Sequence, residues 1–431
     1  MKNLFLIILF LILGLNLSTA VCYILLAIAF VGSLIYLFCT KSKISYRKEI
    51  DFIPFSFFLI WIYGIVIGFF NGNKSEYIIA NFAGMFCYIL YYFLVLFKVS
   101  VSSLVKILLV ATISTSTIAS VYYIFDIIGI DSSFLNNFLG EINQGSSTGQ
   151  LRAYFTGLTV GFTIWVLSFM YLLIGKSEKN LFLFEGIKSR NYIWLFLLTT
   201  FILYFATASK GFMLSGVFYF LVLPVLLYGK KMVSGKMSPS FFLFIVFILL
   251  VIGVLVVFDY SNIVTKMFDS EDSSNALRYL QLTYIVDDIT ILGKGLGAII
   301  PNFSRSDEAE YGFELSYINL IHKFGIFACV LFFNWAYVLF KASLNVYHRK
   351  NVFNSSLSLG CMGYLFPSAG NPLLMHPEQE IVIRFYFYGE KTSEIAKALH
   401  LTDAAVRVRL HRSRGKLRNM MIAGGYQYAE A

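Results

Sequence analysis

Long apolar runs alternate with short polar segments over most of the chain. Residues 241–258 (FFLFIVFILLVIGVLVVF) form one such run, and each run is about long enough to cross a hydrocarbon layer of roughly 30 Å. Because every backbone N–H and C=O needs an internal partner in lipid, runs of this length predict helices. From Pro377 onward no such run recurs, and apolar residues at helical spacing alternate with basic ones. The pattern therefore predicts two unlike parts that meet near residue 376.

We place ten membrane-spanning helices and one weaker candidate in the first part. The ten predicted spans lie near residues 4–19, 21–39, 52–70, 77–97, 107–129, 153–175, 192–208, 212–228, 240–258 and 316–340. The weaker candidate, residues 353–374, contains Pro367, Gly370 and Pro372, so it either crosses or re-enters on the same face. The predicted fold is all-α: a polytopic helical membrane domain over residues 1–375 with about 10–11 transmembrane helices, then a small soluble three-helix unit over residues 376–431.

Composition excludes a soluble globular protein for the larger part. The chain is 58% hydrophobic and 18% aromatic but only 13% charged, whereas about 25% of residues are charged in an ordinary soluble domain. The five cysteines lie within or beside apolar runs, with no CxxC pair and no histidine at ligand spacing. We interpret them as small hydrophobic residues and predict no metal site.

The distribution of lysine and arginine predicts the orientation. Basic residues concentrate in the loops at 41–48, 176–190, 230–236 and 341–350, which share a face with the N-terminus. The positive-inside rule makes this face, and the N-terminus, cytoplasmic. Lys2 ahead of the first apolar run also fits a signal peptide, but a second run follows at once. We therefore favour a retained helical hairpin.

A few charged residues fall on the opposite face, where the positive-inside rule does not explain their presence. They stand at loop ends, in a tight turn, in the longest outer loop and at the re-entry point: Arg152, Lys210, Arg278, Lys294 and Glu314. Arginine forms bidentate bonds with phosphate oxygens, and a carboxylate can accept a hydroxyl proton. The set suits a diphosphate ligand and an acceptor hydroxyl. The alternative for Arg152 and Lys210 is snorkelling to lipid headgroups.

Three neighbouring features each have a simple structural interpretation. Residues 293–297 (GKGLG) have GxGxG spacing without a preceding strand, which favours a bend where backbones approach closely over a nucleotide-binding turn. The Asp287-Asp288 pair is interpreted as solvated loop charge rather than as a metal pair. His322 lies inside a predicted span, and we favour a hydrogen-bonded interior histidine over a catalytic one.

Two stretches around this loop resemble a known family. Residues 278–301 with residues 314–326 resemble the shared region of bacterial O-antigen polymerases and ligases, which runs from an arginine-bearing helix through a GxGxG bend to a helix of pattern HNxxLxxLxxxGI. Residues 207–222 (TASKGFMLSGVFYFLV) resemble that family's SRG turn, and residues 149–152 (GQLR) its upstream arginine segment. The resemblance implies an integral inner-membrane protein that joins glycans carried on undecaprenyl diphosphate, by a metal-independent inverting transfer without a cofactor.

The same resemblance implies roles for individual residues. Arg278 and Arg152 would bind the lipid diphosphate and stabilise it as the leaving group. Lys210 occupies the position of the SRG arginine, which keeps the charge but loses the fork. Glu314 stands where the ligase pattern has its first histidine, so the predicted base toward the acceptor hydroxyl is a carboxylate and polymerase is favoured over ligase. The bend completes the implied substrate contacts with Lys294, Gly295 and Gly297.

The tail carries a second resemblance. From Ile381 it resembles region 4 of bacterial RNA polymerase sigma factors, particularly the extracytoplasmic-function type, with a turn at residues 400–402 and a recognition helix from Asp403 to about Asn419. This implies a helix-turn-helix that enters the major groove, with DNA and RNA polymerase as partners. The implied DNA contacts are Thr402, Arg407, Arg409, His411, Arg412 and Arg414. The alternative is a basic amphipathic helix lying on anionic lipid.

The two resemblances conflict in topology. If residues 353–374 cross the membrane, the tail lies outside the cell, where no promoter exists. The simplest explanation is a junction near residues 375–379 between unrelated sequences, for example by gene fusion. Two other functions stay open: a membrane-tethered transcription regulator, and a lipid-linked glycan transporter with the same hydropathy.

Overall fold

The structure is a computed structural model of the chain. It describes residues 2–15, 17, 19–40, 48–83, 86–130, 143–144, 153–174, 179, 182, 189–207, 209–234, 273–301, 303, 310–313 and 315–368. The predicted span at 240–258 and the tail, residues 376–431, lie outside the described residues.

The regular secondary structure of the described residues is helical, apart from one short antiparallel pair, β1 (Asn143–Gln144) and β2 (Ala153–Tyr154), and one isolated bridge between Ile300 and Phe303. The first helices are α1 (Lys2–Gly14), α2 (Thr19–Thr40), α3 (Lys48–Phe70), α4 (Ser75–Ala83), α5 (Phe86–Leu96), α6 (Val101–Ile128) and α7 (Gly161–Leu173). The later helices are α8 (Asn191–Thr200), α9 (Lys210–Val233), α10 (Ser273–Asp287), α11 (Ser316–Phe324), α12 (Ala328–Tyr347), α13 (Val352–Cys361) and α14 (Leu365–Ser368). The all-α prediction is confirmed for this part of the chain.

Several helices are long and apolar enough to cross a membrane. Within the described residues, five stretches meet this requirement by length and composition: Val21–Thr40, Phe52–Phe70, Val101–Phe125, Gly211–Lys231 and Ser316–Tyr347. Three apolar helices are shorter: Lys2–Gly14, Gly157–Leu173 and Asn191–Tyr204. All of them fall at predicted spans.

The weak candidate at 353–374 differs from these. It begins with α13, of only 10 residues, and continues through a 3-10 turn (Met362–Tyr364) into α14, of 4 residues. A helix needs about 20 residues to cross the hydrocarbon core. Neither α13 nor α14 is among the long or the shorter apolar helices.

The chain divides into two compact units. The larger unit comprises Met1–Phe58, Phe86–Ala276 and Cys329–Leu373. Its core surrounds α7, in which Gly161–Tyr171 is buried throughout. The Trp165 ring packs 5.3 Å from Tyr204 and 5.3 Å from Phe220, and its Nε1 donates to Thr200 Oγ1 at 2.8 Å. The indole thus gains packing area while its single donor stays satisfied.

The smaller unit comprises Leu59–Met85, Leu277–Ala328 and Leu374–Ala431. Its described part contains the end of α3, all of α4 and α11, most of α10, and the loop between α10 and α11. A small apolar cluster of Ile285, Ile300, Phe303 and Phe313 closes one side of that loop. The predicted glycine motif lies in this unit.

Candidate functional site

Residues 293–297, here called the glycine bend, join the loop after α10 to the end of α11. Lys294 N donates to His322 O at 2.8 Å, and Gly295 N donates to Lys323 O at 2.8 Å. The last carbonyls of a helix have no partner within the helix. The bend therefore closes the C-terminal end of α11 with its own N–H groups.

The other side of the bend is bonded to α3, α4 and the turn between them. Leu296 N donates to Gly64 O at 2.8 Å, and Gly297 N donates to Asn81 Oδ1 at 2.9 Å. Asn73 Nδ2 donates to Lys294 O at 2.9 Å and to Leu296 O at 2.8 Å. An irregular segment can remain buried only when its backbone polar groups are paired in this way.

The contacts leave no room for side chains at the glycines. Gly295 has φ +80°, and a Cβ there would overlap the backbone nitrogen of Gly68. Gly325, just after α11, has φ +56°, and a Cβ there would overlap Ile291 O. Glycine is the residue that adopts these angles and allows such contacts at low cost. The interpretation of GKGLG as a close-approach bend is confirmed.

A charged network lies beside the bend. Lys294 Nζ is 2.8 Å from Asp288 Oδ1, and His322 Nε2 is 2.8 Å from Asp288 Oδ2. His322 is buried, so the expectation of a hydrogen-bonded interior histidine is confirmed. The expectation of solvated loop charge is wrong for Asp288, because its carboxylate is held between Lys294 of the same loop and His322 of α11.

The pKa of the Asp288 carboxyl reflects opposing effects. Burial raises this pKa, but the hydrogen bonds from Lys294 and His322, together with the Lys294 charge, lower it more, and the net pKa lies below the ordinary value of 3.8. The carboxylate is therefore ionised at neutral pH. No group of three or more His, Cys, Asp or Glu side chains arranged for a metal ion occurs among the described residues.

Lys323 and Asn319 are buried polar residues that the sequence analysis did not single out. Lys323 Nζ donates to Ala298 O at 3.2 Å and Tyr311 O at 3.1 Å, and lies 5.0 Å from the Phe313 ring centroid. One turn earlier on α11, both amide atoms of Asn319 are buried and have no hydrogen-bond partner among the described residues. The sequence did contain a signal for Lys323, which lies within the predicted span 316–340. A charged side chain is energetically costly in lipid, so a lysine inside a span is a candidate functional residue.

The smaller unit contains several of the predicted site residues. Arg278 lies on α10, half-buried, and Gln281 one turn later accepts a hydrogen bond from Leu315 N at 3.3 Å. Lys294, Gly295 and Gly297 lie in the glycine bend, where the Lys294 ammonium is engaged by Asp288. The structure thus brings the bend and the Arg278 helix to the two ends of α11.

Of the other predicted residues, Lys210 is described. Lys210 is the first residue of α9, in the larger unit. Arg152 and Glu314 lie outside the described residues, as do the tail residues Thr402, Arg407, Arg409, His411, Arg412 and Arg414.

Comparison with known proteins bears on the tail. Residues 375–417 match the family model for sigma-70, region 4. The match begins at the predicted boundary and covers all six predicted DNA contacts, and it indicates a DNA-binding helix-turn-helix segment. No curated protein and no solved structure matches the chain. The resemblance of residues 1–375 to O-antigen polymerases therefore stays a prediction.

We predict that Gly295→Ala prevents correct folding of the smaller unit. The added Cβ would overlap the Gly68 backbone, and overpacking against backbone costs about 1–3 kcal/mol or more, beyond roughly 1–2 kcal/mol for positive φ. Detergent-solubilised protein should aggregate, or unfold at a much lower temperature, in size-exclusion and thermal-shift assays.

Gly72→Ala is the matched control, because Gly72 also has positive φ, +71°, but nothing lies within 4 Å of its added Cβ. This variant should show only the smaller cost of backbone strain. Equal stability of the two variants would contradict the close-approach explanation.

We also predict that Asp288→Asn destabilises the protein in a pH-dependent way. A lowered carboxyl pKa contributes stability above the ordinary value of 3.8, and this contribution is lost as pH falls through the folded-state pKa. At about pH 7 the variant should lose about 1–2 kcal/mol, and the difference from wild type should shrink below about pH 4. Thermal unfolding across this range measures it.

Asp287→Asn provides the comparison, since the neighbouring Asp287 is exposed. It should leave the unfolding temperature nearly unchanged at every pH. A pH-independent loss in Asp288→Asn would show that side-chain shape, not charge, is responsible.

Proposed function

We propose that residues 1–375 form an integral membrane glycan transferase of the polymerase type, which acts on undecaprenyl-diphosphate-linked oligosaccharide in the bacterial inner membrane. The main observation in favour of the proposal is that hydrogen bonds hold α10, which carries Arg278, and the loop after it against α11. Gln281 joins α10 to the start of α11, and the glycine bend joins the same loop to its end. A cation is thereby fixed on a rigid support next to an apolar helix.

The chemistry requires an electrostatic clamp and a base. Arginine binds two phosphate oxygens at once and stabilises the departing diphosphate. We assign the main phosphate contact to Arg278, because a guanidinium can make both bonds, with Arg152 and Lys210 as further contacts. The Lys294 ammonium is paired with Asp288. Glu314 precedes Leu315, the residue bonded to Gln281, and we assign it the role of base.

The proposed reaction is a single displacement. The acceptor hydroxyl gives its proton to the Glu314 carboxylate, and its oxygen attacks the anomeric carbon of the donor sugar. The bond from that carbon to the diphosphate oxygen breaks, and the diphosphate leaves with the electron pair. Configuration at the anomeric carbon inverts, and no metal or cofactor takes part.

We predict that Arg278→Ala abolishes long-chain polysaccharide in a host that lacks its own polymerase and is complemented with this chain. Loss of a bidentate donor to the leaving group should lower the rate about 100-fold. Gels of extracted polysaccharide should then show only short chains, at normal membrane levels of the protein.

Thr283→Ala is the control, because Thr283 is exposed on the same helix; it should retain long chains. Arg278→Lys should give partial activity, since charge remains without the fork. Long chains at the normal level in Arg278→Ala would refute the site. Loss of repeat-unit translocation instead of linkage would favour a transporter.

A second function, a membrane-tethered transcription regulator, is favoured by the match at residues 375–417. Such a regulator requires a cytoplasmic tail. Residues 352–368 are helical throughout but are not among the apolar helices found in the described residues, which supports a segment that does not cross. The basic residues at 341–350 favour a cytoplasmic start for it. We therefore propose that the tail is cytoplasmic and available to DNA.

Reporter fusions after residue 431 test this placement. Green fluorescent protein should fluoresce there, and alkaline phosphatase should be inactive, because the phosphatase matures only outside the cytoplasm. Fusions after residue 350 provide the cytoplasmic reference. An active phosphatase at residue 431 would rule out the regulator and leave the transferase proposal unchanged.

A further inference from the structure

The outward face of α10 carries large aromatic and apolar side chains. It exposes Tyr279 (73%), Tyr284 (38%) and Val286 (53%) alongside the polar Thr283 and Asp287, whereas Gln281 and Ile285 are buried. Arg278 is half-buried on the inner side of the helix. Gln281, one turn later on the same side, accepts a hydrogen bond from Leu315 N. A surface helix in water places polar side chains outward and apolar ones inward. Water is therefore a poor environment for this face.

The loop after α10 extends the same apolar surface. Ile291 is 79% exposed and Leu292 is 57% exposed. They are fixed there, because Ile326 N donates to Ile291 O at 2.8 Å and Tyr63 Oη donates to Leu292 O at 2.6 Å. Because hydrogen bonds fix the backbone here, the exposure of these two aliphatic side chains is a stable feature of the fold.

This surface continues onto α3. Tyr63 joins the two, since its ring also packs 4.5 Å from the Phe327 ring centroid. The exposed residues of α3 in this unit form one stripe at helical spacing: Leu59, Ile62, Val66, Phe69 and Phe70. The stripe belongs to Phe52–Phe70, a helix long and apolar enough to cross a membrane. The apolar face of α10, the loop and this stripe therefore share one environment.

We propose that α10 and the loop through Leu292 lie in the membrane interface, with Tyr279, Tyr284, Val286 and Ile291 in contact with lipid. The hydropathy pattern alone predicts an outer loop for this segment. Tyrosine favours the headgroup level, where its ring is in apolar surroundings and its hydroxyl is hydrated. A helix lying there buries its apolar face about 5–10 Å into the boundary.

The placement also predicts how deep Arg278 lies in the membrane. It lies on the inner side of a helix held at the headgroup level, which is where the diphosphate of a membrane-anchored donor lies. This consequence rests on the proposed transferase function, whereas the lipid contact itself does not.

Site-directed spin labelling tests the proposal in the full chain, reconstituted in lipid vesicles. The native cysteines, Cys22, Cys39, Cys87, Cys329 and Cys361, are first replaced by serine or alanine. Nitroxide labels are then attached to Tyr279→Cys and Ile291→Cys, with Ile62→Cys on the α3 stripe as the lipid reference. Lys74→Cys, in the polar turn after α3, is the water reference.

Power saturation measures collision of each label with oxygen, which concentrates in lipid, and with a water-soluble nickel complex. Labels at 279 and 291 should collide preferentially with oxygen, as at 62, whereas the label at 74 should favour nickel. Nickel access at 279 and 291 would overturn the inference, and so would low access to both reagents, because that indicates a protein partner. Nickel access at 62 as well would overturn the membrane placement in the proposed function itself.

Discussion

The smaller unit depends on the close approach of backbones at its glycines. Gly295 lies against Gly68 of α3, and Gly325 lies against Ile291. At these distances the N–H groups of the bend reach the carbonyls of Gly64, His322 and Lys323. A methyl group at Gly295 would push α3 away from the glycine bend and break the hydrogen bonds through which the bend connects α3 to α11. Glycine is needed there for space as much as for its φ angle.

The charged network depends on that bend. Because Lys294 N is bonded to His322 O, the side chains of both residues reach the Asp288 carboxylate from different directions. Lys323, next to His322, satisfies its buried ammonium group with the carbonyls of Ala298 and Tyr311. The polar interior is thus built by main-chain geometry, and each of these buried polar side chains has a hydrogen-bond partner within it. The proposed role of Arg278 requires the same support.

The membrane part and the tail lead to different functional proposals, and one short segment connects them. Residues 375–417 match sigma-70, region 4, while many of the preceding helices are apolar. The connecting helical run, residues 352–368, is not among the apolar helices found in the described residues. A segment that enters the membrane and returns would reconcile a transferase with a tail that reaches DNA.

The sequence by itself determined the helical class of the described residues, because a long apolar run pairs its backbone internally as a helix. It indicated the sigma-70, region 4 match at residues 375–417, because a helix-turn-helix is a local pattern. It also indicated the bend, since glycines at alternate positions imply close approach. Only the tertiary structure decided the partners of Asp288, which lies 34 residues from His322 in sequence. It alone revealed the burial of Lys323 and the outward apolar face of α10. These depend on which segments meet in space, and residue type and spacing do not fix that when the contacts are made by packing.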